Sequence, residues 1–146
     1  MDSLRIRTAM SGDAAPISRM LNQLEHPASP AEIPERIEKL HARPGTIVLV
    51  AESDGAVVGV VTVHLFPSLH SREPVAWLTT VVVEENSRGK GVGSALVQRA
   101  EEWAIQQGAA RITLTSALHR KRAHEFYKAR SYEHTGVRLS KVFSQS

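Results

Sequence analysis

The chain has no cysteine. That excludes disulfides, a cysteine nucleophile and thiolate metal sites, and it fits a reducing compartment, so a cytoplasmic protein is expected. Aromatic residues make up only 5% of the sequence, and no basic strand studded with aromatics and no recognition helix is present. A nucleic-acid-binding function therefore has no sequence feature to carry it. The net charge of +3 suits an anionic ligand but is modest for a nucleic-acid binder of this length. Long apolar runs are also missing: the longest apolar-rich stretch, Ala56 to Phe66, is far short of the ~20 residues of a membrane helix and reads as a buried strand. Met1 to Arg7 is charged and lacks the apolar centre of a signal peptide, so neither export nor membrane attachment is expected. The seven histidines show no zinc-type helical pair; His119 and His124 are five apart, and His64 and His70 lie in or after a strand, so no metal is expected.

A length of 146 residues can bury a real core and points to one domain spanning 1–146. Leu4 to Thr8 reads as a first strand, and Asp13 opens a helix running toward Leu24. Pro27, Pro30 and Pro34 interrupt the connection to a second helix holding Ile33, Ile37 and Leu40, which Pro44 and Gly45 end. Ile47 to Ala51 and Ala56 to Leu65 form a hairpin around Asp54-Gly55. A loop from Phe66 to Pro74 leads to a strand over Ala76 to Val83. A helix follows from about Gly93 to Gln107, stopped by Gly108, then a strand through Arg111 to Thr115, a helix carrying Tyr127, and a final strand or pair over Tyr132 to Phe143, broken near Gly136. The expected class is α/β with a mixed, mostly antiparallel sheet in the order β-α-α-β-β-β-α-β-α-β.

The most informative segment is the basic glycine run Arg88, Gly89, Lys90, Gly91, Val92, Gly93 and Ser94, set between the β-branched Val81, Val82 and Val83 and a helix with Val92, Leu96, Val97, Ala100, Trp103 and Ala104 at helical spacing. The first N–H groups of such a helix have no internal partner and its dipole is positive at that end, so the turn can hold a phosphate. A P-loop is excluded because its spacing is absent, and the dinucleotide fingerprint fails where this chain has Ser94. Taken alone, the run also fits a plain strand-to-helix turn.

Arg88, Gly91 and Gly93 match the Arg/Gln-x-x-Gly-x-Gly/Ala signature, and Ala123 to Tyr132 is similar to the Ala-x-x-Phe-Tyr-x-x-x-Gly-Phe/Tyr segment, of the GNAT superfamily of N-acetyltransferases. The resemblance covers roughly Thr79 to Val137. It implies the GNAT fold and an acetyl-CoA-dependent transfer to a primary amine of a small molecule or a protein, by direct attack in a ternary complex. In this family the loop, here Arg88 to Ser94, binds the pyrophosphate. The strand before it, here Val81, Val82 and Val83, contacts the pantetheine arm through its backbone. The start of the helix carrying Tyr127, with Arg120, Lys121 and Arg122, can lie beside the coenzyme phosphates. Segments such as Pro27 to Pro34 and Phe66 to Pro74 shape the acceptor cleft, and homodimers are common, although no residue here fixes an interface.

The motif makes Tyr127 the candidate general acid; its plain alternative is packing against Phe126. A thiol pKa of about 8.5 against a phenol near 10 makes that proton transfer uphill by only ~2 kcal/mol. Many relatives carry an acidic base in the strand before the loop, where this chain has Thr79 and Thr80. Glu84, Glu85 and His64 read as surface residues, so no base is assigned. Ser131 stands where the family often has glycine, and Arg120 where many members have asparagine. Two other readings stay open: a non-catalytic acyl-CoA-binding module, and a nucleic-acid or tRNA-directed acetyltransferase.

Overall fold

A computed structural model describes residues 4–24, 27–115 and 121–143. The chain divides into two compact units, Met1–Thr113 and Leu114–Ser146.

The first unit is built on strands β1 (Leu4–Thr8), β2 (Thr46–Ser53), β3 (Ala56–Phe66) and β4 (Val75–Val83), antiparallel in sequential order, with β5 (Arg111–Leu114) next to β4. The β2–β3 hairpin turns at Asp54 and Gly55, whose φ angles of 50° and 84° are the paired positive values of the turn that matches strand twist. Helices α1 (Ala14–Gln23) and α2 (Ile33–Ala42) precede β2, and α3 (Val92–Gln106) follows β4. Pro34 is tolerated because it lies in the first turn of α2, where its missing N–H costs no helical bond. The Ser18 hydroxyl donates to the Ala28 carbonyl, pinning the proline-containing connection back onto α1.

Each face of the sheet has its own core. Val48, Val50, Val57, Val60 and Val82 pack with Ile17, Met20, Ile33 and Ile37 of α1 and α2. The intervening strand positions Leu49, Ala51, Val61, Val63, Ala76 and Leu78 are also buried, as are Leu96, Val97, Ala100 and Ala104 of α3. This period-two division gives β2 and β3 their continuous apolar sequences, because both faces are covered. The helix α3 stops as expected: Gly108 has φ 88°, its N–H donates to the Ile105 carbonyl, and that of Ala109 to Ala104, each at 3.0 Å.

Asp13 opens α1 from the N-cap position, as expected, but its side chain makes no cap bond to that helix. Its carboxylate instead accepts two bonds of 2.9 Å from the Arg7 guanidinium and one from the Met10 N–H. A charged bidentate partner outcompetes a single cap amide, and Arg7 holds the Asp13 carboxyl below the usual range.

The second unit carries α4 (Lys121–Ala129). The final strand expected over Tyr132 to Phe143 is not formed. Val137, Leu139, Val142 and Phe143 are 76–91% exposed, so the segment has no buried face to select a register.

Candidate functional site

From Val83 the chain runs through a 3-10 turn, Glu85–Ser87, and a turn over Arg88 to Gly91 into α3. Gly89 and Gly91 have φ of 79° and 83°, values L side chains rarely adopt, yet a Cβ on either would meet no protein atom within 4 Å. Backbone conformation therefore demands these glycines, and the space beside them is open to a ligand. Gly91 is the N-cap of α3 and supplies no side-chain cap, so the first-turn amides of Val92, Gly93 and Ser94 meet a positive helix end without a built-in acceptor. The Arg88 Nε donates to the Val83 carbonyl at 3.2 Å, fastening the turn to the strand end.

The strand end is held in turn by β3. The Glu84 N–H donates to the Val58 carbonyl at 2.7 Å, continuing the ladder past β4. Val82 is a core residue, while Val81 and Val83 are half-buried. Gly59, opposite Val83, decides how closely α3 sits: a Cβ there would lie 2.6 Å from Leu96 Cδ1 and 3.1 Å from Val92 Cγ1. Nothing in the sequence singled out Gly59, since its neighbours on α3 lie more than thirty positions away.

On the α1–α2 face, a cavity of about 220 Å³ is lined by Ile17, Leu21, Ile37 and Leu40 on the helices and by Thr62 and Thr80 on the sheet, with Arg36 its one charged group. Next along that face the β3–β4 register shifts: Thr62 pairs with Thr80 and Val63 with Leu78, leaving Thr79 as an extra, bulged residue. The bulge brings the Thr79 hydroxyl 2.9 Å from His64 Nε2, with Thr46 Oγ1 at 3.4 Å from Nδ1. His64 is 9% exposed, which corrects its reading as a surface residue: the face it occupies is covered, and hydroxyls satisfy its ring nitrogens. It stacks on Phe66 at 5.8 Å, and the Arg43 guanidinium lies over Phe66. Burial, with the charge of Arg43, pushes its pKa below the ordinary histidine value. Glu84 is likewise no free surface acid, being half-buried and held by Gln23 and Arg19, whereas Glu85 is exposed.

In the second unit Tyr127 is half-buried on α4, edge-on to Phe126 at 5.2 Å and to Tyr132 at 5.5 Å. The helix ends with the Ser131 N–H donating to the Lys128 carbonyl and that of Tyr132 to Tyr127, both at 3.0 Å, with Ser131 at φ 72°. This residue thus takes the left-handed stop that glycine fills most easily, which explains the family's preference there in terms of helix termination. Arg120 lies outside the described residues. Among the described residues no group of three histidines or acids is arranged to hold a metal, and no helix is long and apolar enough to cross a membrane.

The model of the Acetyltransferase (GNAT) family matches residues 16–132, which takes in both the loop and α4. The chain belongs to this family. The acetyltransferase is 29% identical over 138 residues to an uncharacterized N-acetyltransferase, YhfO, of Bacillus subtilis, covering 89% of this chain and 90% of that one. It is 33% identical over 93 residues to an aminoalkylphosphonate N-acetyltransferase of Salmonella typhimurium, covering 64% of this chain and 60% of that one. The fold matches that of an aminoglycoside N-acetyltransferase, AAC(6')-Iy, solved in complex with CoA, with a TM-score of 0.85 at 16% identity over 99% of this chain and 97% of that one.

Proposed function

We propose that this acetyltransferase uses acetyl-CoA to acetylate the primary amine of a small acceptor that also carries an acidic group, by direct attack in a ternary complex in the cytoplasm. The observation that carries this reading is the strand end, the positive-φ glycine turn and the side-chain-uncapped start of α3, a geometry that offers several amides to a diphosphate at once. Arg88, Gly89, Lys90, Gly91, Val92, Gly93 and Ser94 bind that diphosphate, and the backbone of Val81 to Val83 takes the pantetheine arm. Arg120 adds an outer phosphate contact. The amine nitrogen attacks the thioester carbonyl, the C–N bond forms, the C–S bond breaks, and Tyr127 donates its phenolic proton to the departing sulfur.

The acceptor class follows from the cavity. At about 220 Å³ it is smaller than the ~300–1,000 Å³ of pockets for drug-sized molecules, so it suits a compact amine. Its aliphatic lining accepts a short carbon chain, and the Arg36 guanidinium, which donates to Glu32 at 3.2 Å, has further N–H groups for a carboxylate or phosphonate. The aminoalkylphosphonate N-acetyltransferase of Salmonella typhimurium has an acceptor of that description by name.

The test is thiol release from acetyl-CoA across a panel of aminoalkylphosphonates, amino acids, aminoglycosides, peptides with a free amino group and tRNA, with calorimetry on acetyl-CoA in parallel. Release with a small acidic amine is expected. Binding of acetyl-CoA without release on any acceptor would make the chain a non-catalytic acyl-CoA-binding module, and no binding would remove the reading altogether.

A further inference from the structure

We infer that His64 accepts the proton of the acceptor amine, relayed by the hydroxyl of Thr79. The inference rests on the acetyltransferase reading above and supplies the base that the sequence does not show.

An alkylammonium of pKa about 10.4 is only ~0.1% neutral near pH 7.4, so a transferase working on it gains about 10³-fold by having a proton acceptor in place. None of the described residues lining the cavity on the α1–α2 face is a carboxylate, and Glu32 beside it is paired with Arg36 at 3.2 Å. Glu84, the first residue after β4, is engaged by Gln23 and Arg19. What the sheet presents instead is a hydroxyl backed by an imidazole. Val48, Thr62 and Thr80, which line the cavity, form one cross-strand row, and the next row on the same face holds Thr46 and His64, with Thr79 bulged beside them. Thr79 is exposed while His64 is buried, so an acceptor can reach the hydroxyl but not the ring. Thr79 also lies two residues before Val81, where the backbone assigned to the thioester begins.

The geometry orders the protons. With the Thr79 hydroxyl donating to Nε2 at 2.9 Å, the ring hydrogen sits on Nδ1 and faces Thr46 Oγ1 at 3.4 Å. The ammonium first passes one proton to the Thr79 oxygen while the hydroxyl's own proton passes to His64 Nε2; the free amine then attacks, and the second N–H proton, lost as the C–S bond breaks, replaces the one Tyr127 gives to sulfur. The imidazolium returns the first proton by the same route to water after the amide leaves. Phe66 stacks on the ring and packs in turn against Trp77 in a T-shaped pair, which restrains the imidazole. Burial and the positive charge of Arg43 both disfavour the imidazolium, holding the His64 pKa below the ordinary histidine value.

The experiment compares the wild-type protein with His64→Gln, Thr79→Val and Thr79→Ser, using the acceptor found by the thiol-release screen. His64→Gln and Thr79→Val should each lower kcat by ~10²–10³-fold near pH 7 with KM for acetyl-CoA unchanged, and the deficit should shrink toward about pH 10, where the amine is neutral on its own. Thr79→Ser should keep near-wild-type kcat, because it keeps the hydroxyl. Equal kcat in Thr79→Val, or a deficit that is constant with pH, overturns the relay while leaving the acetyltransferase reading intact. Thr79 is exposed, so its variants remain informative even where His64→Gln fails to fold. Absence of thiol release by the wild-type protein with every amine removes both.

Discussion

Gly59→Ala offers the sharpest test of how this sheet places the glycine turn. The added methyl would stand 2.6 Å from Leu96 Cδ1, 3.1 Å from Val92 Cγ1 and 3.4 Å from the Val82 carbonyl oxygen. Leu96 is fully buried, so its Cδ1 has little room to turn away, and Val92 is β-branched in the first turn of α3, with one favoured rotamer. The helix must therefore move. Overpacking of this kind costs ~1–3 kcal/mol, and replacing a strand glycine by alanine returns ~0.5–1 kcal/mol, leaving a net loss of up to about 2.5 kcal/mol, with about 1–2 kcal/mol in the middle of the range. For a chain of this size that corresponds to a fall in Tm of about 2–8 °C. Since Val92, Gly93 and Ser94 belong to the displaced turn, acetyl-CoA affinity should fall too, as read by calorimetry. Pairing Gly59→Ala with Leu96→Val should recover part of both losses. Unchanged Tm and unchanged affinity in the single variant would refute the claim that Gly59 sets the seat of α3.

Three further outcomes are expected. Tyr127→Phe should lower kcat by ~10²-fold or more with little change in acetyl-CoA affinity; equal turnover would withdraw the general-acid role. The Asp13 carboxyl has a folded pKa below its unfolded value, so its contribution is fully present above the unfolded pKa near 4 and is lost as pH falls through the folded value. Asp13→Asn should accordingly cost ~1–3 kcal/mol at pH 7 in urea unfolding, with the gap to wild type narrowing as the pH falls below about 4; a gap that does not narrow in acid would contradict the ion-pair explanation. Ser131→Gly should raise stability by ~0.5–1 kcal/mol because it relieves a left-handed conformation at φ 72°, and a loss of stability would show that the serine side chain holds the turn.

The elements whose signals are local were legible in the residues. Asp54-Gly55 announces a hairpin, Gly108 a helix stop, and Arg88 to Gly93 a strand-to-helix turn, because backbone sterics at a glycine do not depend on distant parts of the chain. The same locality misled at Tyr132 to Phe143, where the apolar residues lack the covered face that would select a strand register.

What the sequence by itself determined is therefore the family, the loop and the order of most elements, since two short motifs and hydrophobic periodicity carry them. Tertiary structure alone decided the rest. The bulge at Thr79 exists only in the register between β3 and β4, which joins residues 15 positions apart, and it turns His64 from an apparent surface histidine into a buried ring between two hydroxyls. Gly59 matters only because α3 returns to pack on it. Both depend on which side chains meet across strands and layers, and such contacts are fixed by register and packing rather than by neighbours in the chain.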